Sequence, residues 1–423
     1  MCGISGYLLT RNPHSSSAVI HRMTRALAHR GPDDEGLTLI AEDDVLDLRT
    51  DATSKGAREC WSPSDATTFS HRAAFGHRRF SIVDPSRRGH QPFWSSDQRV
   101  CVAFNGEIYN HVELRQELAT LGWSFRSSCD TEVLVSAYQE WGTDCFTRFN
   151  GFWAVSLYDA RRRSILLARD RIGKAALYMT RTKDGIFWSS EINSLRSGIG
   201  ASEFSVNDSV VCNYVLHGRR DVFGETFYKE IETFPSASYA WLSPDGRIKE
   251  TRYWQLPERR LSERDITPSE AGAQLRRLLA DAIALRMRAD APVALELSGG
   301  LDSSAISALA VSPRKTTATY TATFGAFPEI DEGPYADAVL RRFGENLRPT
   351  MVDTPGHNFV SQADSFLHLM GEPFHSPNLF SYQELWRAMA ASGVRVSIAG
   401  GGADELFAGY RYEYHGPYLR MLL

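Results

Sequence analysis

Short apolar runs alternate with turns and a few helical stretches within residues 1–200. Such runs, bounded by turns rich in glycine, serine and aspartate, are typical of β-strands. Residues 131–141 instead space their apolar side chains along one face of a helix. The pattern predicts strands over 3–9, 99–104, 152–158, 164–168 and 186–189, and helices over 18–28, 112–121 and 131–141.

After residue 268 the pattern changes to amphipathic helices that alternate with short apolar strands. This order is typical of a parallel sheet covered by helices. Two earlier segments show no clear period: 41–70, interpreted as a surface insertion or partly ordered loop, and the transitional 205–262. The predicted elements are helices over 270–288 and 379–391, strands over 292–297, 317–324 and 394–398, and an alanine- and serine-rich helix after 300.

The chain has 423 residues, of which 43% are apolar and 23% charged, enough for two or three domains with real cores. Its net charge of −4 gives no electrostatic footprint for nucleic acid, and no apolar run approaches the ~20 residues that span a bilayer. The N-terminus shows no secretory signal, so neither nucleic acid nor membrane is expected as a partner. Six cysteines without a C-x-x-C pair argue against disulfides or structural zinc and favour the cytoplasm.

Cys2 directly follows the initiator methionine, and its small size favours removal of that methionine. The mature chain would then carry a thiol and a free α-amine on one residue, a nucleophile beside its own base. The ordinary pKa values of the two groups, about 8.5 and about 8, make both useful near neutral pH. A buried structural cysteine near a frayed terminus is the alternative interpretation.

Three further segments carry groups that a thiol attacking a carboxamide would need. Asn105 and Gly106, at the end of a predicted strand, offer an amide donor and a close backbone approach for an oxyanion. Arg79, just before a short apolar strand, is suited to clamp a carboxylate, whereas the neighbouring Arg78 is interpreted as a solvated surface charge. Asp130 stands at a predicted helix start, where a plain N-cap is the alternative to binding an ammonium group.

Together these motifs resemble the N-terminal-nucleophile glutamine amidotransferase domain, and more narrowly that of glutamine-hydrolysing asparagine synthetases. The resemblance covers residues 1–195 and departs from the family at Ala175-Ala176, where lysine and proline are usual. The motifs are MCGISG, HRGPD (29–33), GHRRFSIVD (76–84), FNGEIYN (104–110) and the pair Asp130 and Glu132, with further matches at 167–171 and 189–192. His29 and His77, inside these motifs, are expected to make structural hydrogen bonds only.

The resemblance implies that Cys2 is the nucleophile, that its amine is the base, and that Asn105 and Gly106 form the oxyanion hole. Arg79 would hold the glutamine carboxylate and Asp130 its ammonium group. The implied glutamine-binding set is Arg79, Ser81, Ile82, Val83, Asn105, Gly106, Glu107 and Asp130.

The second candidate site is the run Leu297-Ser298-Gly299-Gly300-Leu301-Asp302-Ser303-Ser304, between a predicted strand and a helix. Two glycines allow a tight turn whose backbone N–H groups can hold phosphate oxygens, and the serines add hydroxyl donors. Asp302 is suited to hold Mg²⁺ beside phosphates rather than to grip them. The run lacks the Lys-Ser/Thr ending of the Walker loop, and a purely structural glycine turn is the alternative.

This run resembles the loop of ATP pyrophosphatases, which release AMP and pyrophosphate from ATP and form the C-terminal domain of asparagine synthetases. Later segments match in the family's order, at 323–325, 372–377 and 399–410. The resemblance implies ATP and Mg²⁺ as cofactors, with Asp302 and Asp404 as metal ligands. The implied ATP-binding set is Leu297, Ser298, Gly299, Gly300, Asp302, Ser303, Ser304, Phe324, Ala399 and Gly400.

Two features of the second half depart from that family. Gly401 stands where the family has a glutamate used in forming the aspartyl-adenylate, which leaves the acceptor carboxylate open. The chain stops at Leu423, whereas the family runs on well beyond this point, so we expect the synthetase part to be truncated.

The sequence thus predicts a four-layer αββα N-terminal-nucleophile domain (2–205), a connecting segment (206–265) and a parallel-sheet α/β ATP-pyrophosphatase domain without its C-terminal part (266–423). The resemblance implies an asparagine synthase that passes ammonia from L-glutamine to an acyl-adenylate, with aspartate as the first choice of acceptor. It also implies a homodimer, and the short second half leaves room for a separate completing chain. The alternatives are a glutaminase with an inert synthetase half, an amide- or lactam-forming enzyme acting on another carboxylate, and a non-enzymatic regulatory remnant.

Overall fold

The computed structural model describes residues 1–11, 17–42, 44–55, 69–220, 224–311, 316–354, 359–374, 376, 378–407 and 409–410. The chain divides into two compact units. The first unit is Met1–Arg259 with Val360–His375, and the second is Arg260–Phe359 with Ser376–Leu423. Within the described residues, every helix is too short or too polar to cross a membrane.

Two antiparallel sheets form the first unit. Its strands are β1 (Gly3–Leu9), β2 (Asp34–Ile40), β3 (Val45–Leu48), β4 (Ala73–Arg79), β5 (Phe93–Trp94), β6 (Val100–Ile108), β7 (Gly151–Asp159), β8 (Ser164–Arg169), β9 (Tyr178–Arg181), β10 (Gly185–Ser189), β11 (Ile231–Thr233), β12 (Ser238–Leu242) and β13 (Ile248–Arg252). One sheet has the strand order β11-β9-β10-β1-β4-β2-β3, and the other has the order β13-β12-β8-β7-β6-β5. β1 is therefore a central strand, paired with β10 and β4 on its two sides.

Helices cover the outer faces of both sheets. The helices of this part of the chain are α1 (Ala18–Arg25), α2 (His111–Thr120), α3 (Asp130–Trp141), α4 (Cys145–Arg148), α5 (Ile192–Ile199) and α6 (Asp208–His217). Because side chains alternate along a strand, Ile4 joins the apolar layer between the sheets, whereas Tyr7 packs with α1 and α5. Phe104 of the second sheet packs outward on α2 and α3. The resulting order of layers is helix, sheet, sheet, helix, as the sequence predicted.

Three sequence predictions in this unit are corrected by the structure. β6 continues to Ile108, so Asn105 and Gly106 lie inside the strand, paired with β7, and not at its end. The strand near Arg79 is β4, which ends at that residue instead of starting after it. β4 ends in one histidine and two arginines that are buried against partners, so a polarity pattern does not reveal the strand. Within 41–70 the structure contains β3, while residue 43 and residues 56–68 lie outside the described part.

The second unit is a parallel four-stranded sheet in the order β16-β15-β14-β17. Its strands are β14 (Val293–Glu296), β15 (Thr317–Thr323), β16 (Leu347–Asp353) and β17 (Val396–Ile398). The later helices are α7 (Pro268–Arg286), α8 (Leu301–Ala310), α9 (Gly333–Phe343), α10 (Phe359–Met370), α11 (Leu379–Ala391) and α12 (Ala403–Phe407), and nearly all of α10 belongs to the first unit. One sheet face packs on α11 through Tyr320 and Leu385, and the other packs on α8 and α9 through Leu295 and Leu347. This is the α/β architecture that the alternating pattern predicts.

Candidate active site

Cys2 lies at the entry to β1, the central strand of the first sheet. The Phe80 N–H donates a hydrogen bond to the Cys2 Sγ over 3.3 Å, and Arg30 Nε donates to the Cys2 carbonyl oxygen over 2.8 Å. Burial raises the pKa of the Cys2 thiol, and the hydrogen bond from Phe80 offsets this only in part. The thiol is therefore protonated near neutral pH and needs a base to act as a nucleophile.

Arg30 and Glu191 also fix this segment, although the sequence analysis gave neither of them a role. Arg30 Nη1 and His29 Nε2 each lie 3.0 Å from Glu191 Oε1. Both Arg30 and Glu191 lie in runs that match the family, at 29–33 and 189–192. A matching run marks these residues as part of a family motif, but it does not show that their side chains contact each other. The sequence therefore pointed to both residues without revealing the ion pair.

One pocket beside Cys2 gathers most of the residues that the resemblance assigned to glutamine. Asn105 is the member of that set that does not line it. Met1 does line it, so removal of Met1 would widen the pocket as well as free the Cys2 amine. The lining residues are Met1, Cys2, Arg79, Phe80, Ser81, Ile82, Val83, Gly89, Gln91, Phe104, Gly106, Glu107, Cys129, Asp130, Thr131 and Phe152.

Arg79 and Arg78 face opposite sides of β4, because side chains alternate along a strand. Arg79 lines the pocket, and its guanidinium donates to the backbone oxygens of Ser86, over 2.7 Å, and of Asp84. Arg78 pairs over 2.7 Å with Glu35, its cross-strand neighbour on β2, and the two side chains are only 8% and 7% exposed. The interpretation of Arg78 as a solvated surface charge is therefore wrong, because a buried carboxylate directly opposite compensates its charge.

Asp130 is the first residue of α3, and Cys129 holds the N-cap position without a side-chain capping bond. The plain N-cap interpretation of Asp130 is therefore wrong. Its Oδ2 instead accepts a hydrogen bond from the Ile108 N–H of β6 over 3.0 Å. Burial raises the pKa of the Asp130 carboxyl, while this amide and the helix start favour its charged form. A ligand ammonium group would further stabilise the ionised carboxylate.

Gly106 and Asn105 sit side by side in β6 but differ in their access to the pocket. Gly106 has a φ of +154°, and a Cβ there would lie 2.1 Å from the Phe152 carbonyl oxygen, so only glycine fits. The Asn105 side chain is fully buried, with its Nδ2 3.5 Å from the Ser190 Oγ. Its Oδ1 is buried and has no hydrogen-bond partner among the residues that the structure describes.

His77 joins the two sheets and does not serve the pocket as a cation. Its Nε2 lies 3.1 Å from the Phe104 carbonyl oxygen. Burial lowers the pKa of His77 to about 3, so the imidazole is neutral near pH 7. A neutral donor between two sheets is the structural hydrogen bond that the sequence analysis expected.

In the second unit, loops after β14, β15 and β17 surround a cleft of about 520 Å³. This is the edge at which open parallel sheets bind ligands. Gly299 and Ser304, both predicted to bind ATP, do not line the cleft and face another cavity beside Tyr335. The predicted residues that line it are Leu297, Ser298, Gly300, Asp302, Ser303, Phe324, Ala399, Gly400 and Asp404.

The shape of this cleft fits a nucleotide with its metal ion. Gly299 has a φ of +84°, and a Cβ there would lie 2.3 Å from the Ala336 backbone nitrogen, so the tight turn requires glycine. A Cβ on Gly400 would lie 3.0 Å from the Cβ of Asp302, so glycine lets the backbone pass close to that aspartate. The cleft lining within the described residues includes no lysine or arginine, so a cation held by Asp302 and Asp404 would have to balance phosphate charge. The described residues contain no cluster of three or more metal-ligating side chains.

Gly401 leaves open space at the rim of the same cleft. Apart from its two chain neighbours, no atom of the described residues lies within 4 Å of the position that its Cβ would take. Tyr382 of α11 also lines the cleft. Its ring stacks on that of Trp386, with the two ring centroids 5.7 Å apart. The cleft therefore offers room and an aromatic surface besides its carboxylates.

Comparison with known proteins agrees with both halves of this description. Residues 61–254 match the family of glutamine amidotransferase domains, and residues 274–422 match the asparagine synthase family. The chain is 27% identical to a putative asparagine synthetase (glutamine-hydrolyzing) 2 of Methanocaldococcus jannaschii, over 98% of this chain and 77% of that protein. The solved structure of the B. subtilis glutamine phosphoribosylpyrophosphate amidotransferase aligns with 93% of this chain and 94% of that chain, at 14% identity and a TM-score of 0.45.

Two further relatives carry different names. The chain is 27% identical to Amidase chyE of Penicillium rubens and 28% identical to asparagine synthetase (glutamine-hydrolyzing) 3 of Bacillus subtilis, each over 97% of this chain. It spans 59% and 63% of the length of these two proteins.

These two family matches, in this order along the chain, define a two-part glutamine amidotransferase. The chain belongs to the family of glutamine-hydrolysing asparagine synthetases, whose two domain types it carries in order. The amidotransferase match begins at residue 61, so the assignment of Cys2 depends on the pocket and not on that match.

Proposed function

We propose that the first unit hydrolyses glutamine at Cys2 and that the ammonia released feeds an amide-forming reaction in the second unit. The observation that carries this proposal is the single pocket shared by Cys2, Arg79 and Asp130. A glutamine whose carboxamide meets the thiol would offer its carboxylate to the guanidinium and its ammonium group to the aspartate.

The reaction would proceed through a covalent γ-glutamyl thioester. The Cys2 α-amine takes the thiol proton, and Sγ attacks the carboxamide carbon to give a tetrahedral oxyanion, which Asn105 and the Gly106 N–H stabilise. The amine then returns the proton to the leaving nitrogen, so that the C–N bond breaks and ammonia departs. Water attacks the thioester with the same amine as base, which yields glutamate and restores the thiol.

The thioester provides the direct test of this first step. Acid quenching during turnover should trap a γ-glutamyl group on the N-terminal peptide, detected by mass spectrometry, in chains that have lost Met1. Chains that keep Met1 should remain unmodified, because the nitrogen of Cys2 is then part of a peptide bond and cannot act as the base. Modification of another cysteine, or equal modification with Met1 in place, would contradict the proposal.

For the second unit we propose that a carboxylate attacks the α-phosphate of Mg-ATP and displaces pyrophosphate, which gives an acyl-adenylate. Ammonia would then attack the acyl carbon and release AMP. Bound ATP supplies the activating group, and Mg²⁺ offsets phosphate charge. Asp302 and Asp404 would hold the ion, and the N–H groups of the turn at Gly300 would hold phosphate oxygens. Aspartate is the first candidate acceptor, since two of the three sequence relatives named above carry the name asparagine synthetase.

A second candidate acceptor class is a carboxylate bulkier than aspartate, joined as an amide or lactam. It is favoured by the open space at Gly401 and by a relative that carries the name amidase. Pyrophosphate release with ATP and ammonium salts should then be faster with bulky carboxylates than with aspartate. Gly401→Glu should reverse that preference, because a longer side chain fills the space. Equal preference in both proteins would contradict the role of Gly401.

The remaining expectations are also proposals: domains at 2–205 and 266–423, a homodimer and a cytoplasmic location. Light scattering of the purified chain would test the dimer.

A further inference from the structure

Ser190 bridges the strand that carries the nucleophile and the amide assigned to the oxyanion hole. Its Oγ accepts a hydrogen bond from the Ile4 N–H over 3.0 Å, and its own N–H donates to the Ile4 carbonyl oxygen over 2.9 Å. The Asn105 carboxamide lies 3.5 Å from the same hydroxyl. Ser190, Ile4 and Asn105 are all 0% exposed, so these groups depend on one another for hydrogen bonds and not on solvent.

When Nδ2 of Asn105 faces Ser190, these three residues place two donors on one acceptor and leave another acceptor without a donor. The hydroxyl then accepts from two N–H donors, and Asn105 Oδ1 has no partner within the described part of the chain. A carboxamide keeps its outline after a half-turn about its last bond, which exchanges the oxygen and the NH₂ group. After that half-turn the Ser190 hydroxyl donates to Oδ1, and an N–H of Asn105 points where the unpartnered oxygen lay.

We propose that Ser190 is a positioning residue that donates to Asn105 Oδ1 and thereby aims the Asn105 N–H at the oxyanion formed from glutamine. The inference rests on the proposed glutamine hydrolysis. One hydroxyl would thus hold both Ile4, two residues from the nucleophile, and the amide that stabilises the transition state. Since a preorganised donor acts on the oxyanion and not on bound substrate, loss of Ser190 should affect kcat and leave KM nearly unchanged.

A double-mutant cycle on the full-length chain tests this coupling. Ser190→Ala should lower kcat for glutamine hydrolysis about tenfold, with KM changed by less than about threefold, while Asn105→Ala should lower kcat about 10²-fold. The Ser190→Ala and Asn105→Ala double variant should be no slower than Asn105→Ala alone, because Ser190 acts through Asn105. Losses that multiply, or an unchanged kcat in Ser190→Ala, would overturn the proposal.

Ser189 offers a matched control, since it is an adjacent buried serine whose Oγ bonds to the Ile4 carbonyl oxygen over 3.2 Å. Ser189→Ala should keep kcat within about twofold, and an equal loss in both alanine variants would show a packing effect and overturn the proposal. If Ser190→Ala does not fold, Ser190→Cys keeps the size with a weaker donor and should show the same coupling. A wild-type chain that forms no glutamate would refute the proposed function, whereas an active wild type with multiplying losses refutes this inference alone.

Discussion

The pocket beside Cys2 and the cleft of the second unit place their charged groups by different means. In the pocket, Arg79 and Asp130 are each only 6% exposed and are bonded to backbone groups of neighbouring segments. In the cleft, Asp302 and Asp404 are half-buried, and the adjacent Leu301 is 86% exposed. The charged groups of the pocket are held in position by the protein itself, whereas those of the cleft lie on loops at the ends of parallel strands.

This difference has an energetic meaning. Burying an ion or a polar group costs free energy of folding unless every partner is in place. Substitutions that remove such a partner in the pocket should therefore also destabilise the two-sheet sandwich of the first unit. A half-exposed carboxylate keeps its water until a cation arrives, so the cleft can be changed with little effect on folding. Substitutions should therefore separate the two regions, and the four below run from the largest expected effect to the smallest.

Cys2→Ala should abolish one reaction and spare the other. Glutamine hydrolysis should fall on the order of 10⁴-fold, because no other group supplies the nucleophile. Pyrophosphate release with ATP and ammonium salts should stay at the wild-type rate. Glutamate and pyrophosphate assays measure the two activities, with Cys212→Ala, a change at an exposed cysteine, as the matched control. Loss of both reactions in Cys2→Ala would show that the two regions are not separable.

Arg78→Ala should destabilise the sandwich without removing a ligand contact. It leaves the buried Glu35 carboxylate without its partner at 2.7 Å, which is expected to cost about 3–5 kcal/mol in the free energy of unfolding. Urea unfolding followed by tryptophan fluorescence measures the loss. Arg247→Ala breaks a pair of similar length, 2.6 Å to Asp245, whose side chains are 85% and 50% exposed, and should change stability by less than about 1 kcal/mol. Equal losses would contradict the contrast between buried and exposed pairs.

Asp47→Asn should make the stability of the sandwich less dependent on pH. Burial raises the pKa of Asp47 to about 6, despite hydrogen bonds from Thr38 and from Trp94. Because the folded state holds the proton more tightly, the stability this carboxyl contributes is present at about pH 4 and is lost as the pH rises to about 6. The Asn variant should therefore gain about 2 kcal/mol on wild type between about pH 4 and about pH 6. A constant difference in urea unfolding at both ends would contradict this.

Arg79→Lys should have the smallest of these effects and should appear in binding. Lysine keeps the positive charge but loses the planar fork that matches a carboxylate and the Ser86 carbonyl oxygen. The KM for glutamine should rise about tenfold with kcat less affected, measured by glutamate release. A lower kcat at unchanged KM would assign Arg79 to the chemical step instead of the clamp.

The sequence supplied the elements of this protein better than their contacts. Helix and strand periods located β1, α3 and α11 closely, because buried faces leave a repeat in the chain. They missed β4, since its Arg78 and Arg79 look like solvent-facing charges until Glu35 and the backbone partners are known. They also ended β6 too early, because its apolar run gives way to Asn105, Gly106 and Glu107.

By itself, the sequence determined which local groups exist: a thiol next to the chain start, a glycine turn with hydroxyls and a carboxylate, and the family they identify. Only the tertiary structure decided which distant groups meet. Arg30 reaches Glu191 across 161 positions, and Asn105 meets Ser190 across 85. Such pairs depend on the register between strands, in which a shift of one residue turns every side chain to the other face. No local pattern records that register, so the contact between the Ser190 hydroxyl and the Asn105 carboxamide becomes visible only in the fold.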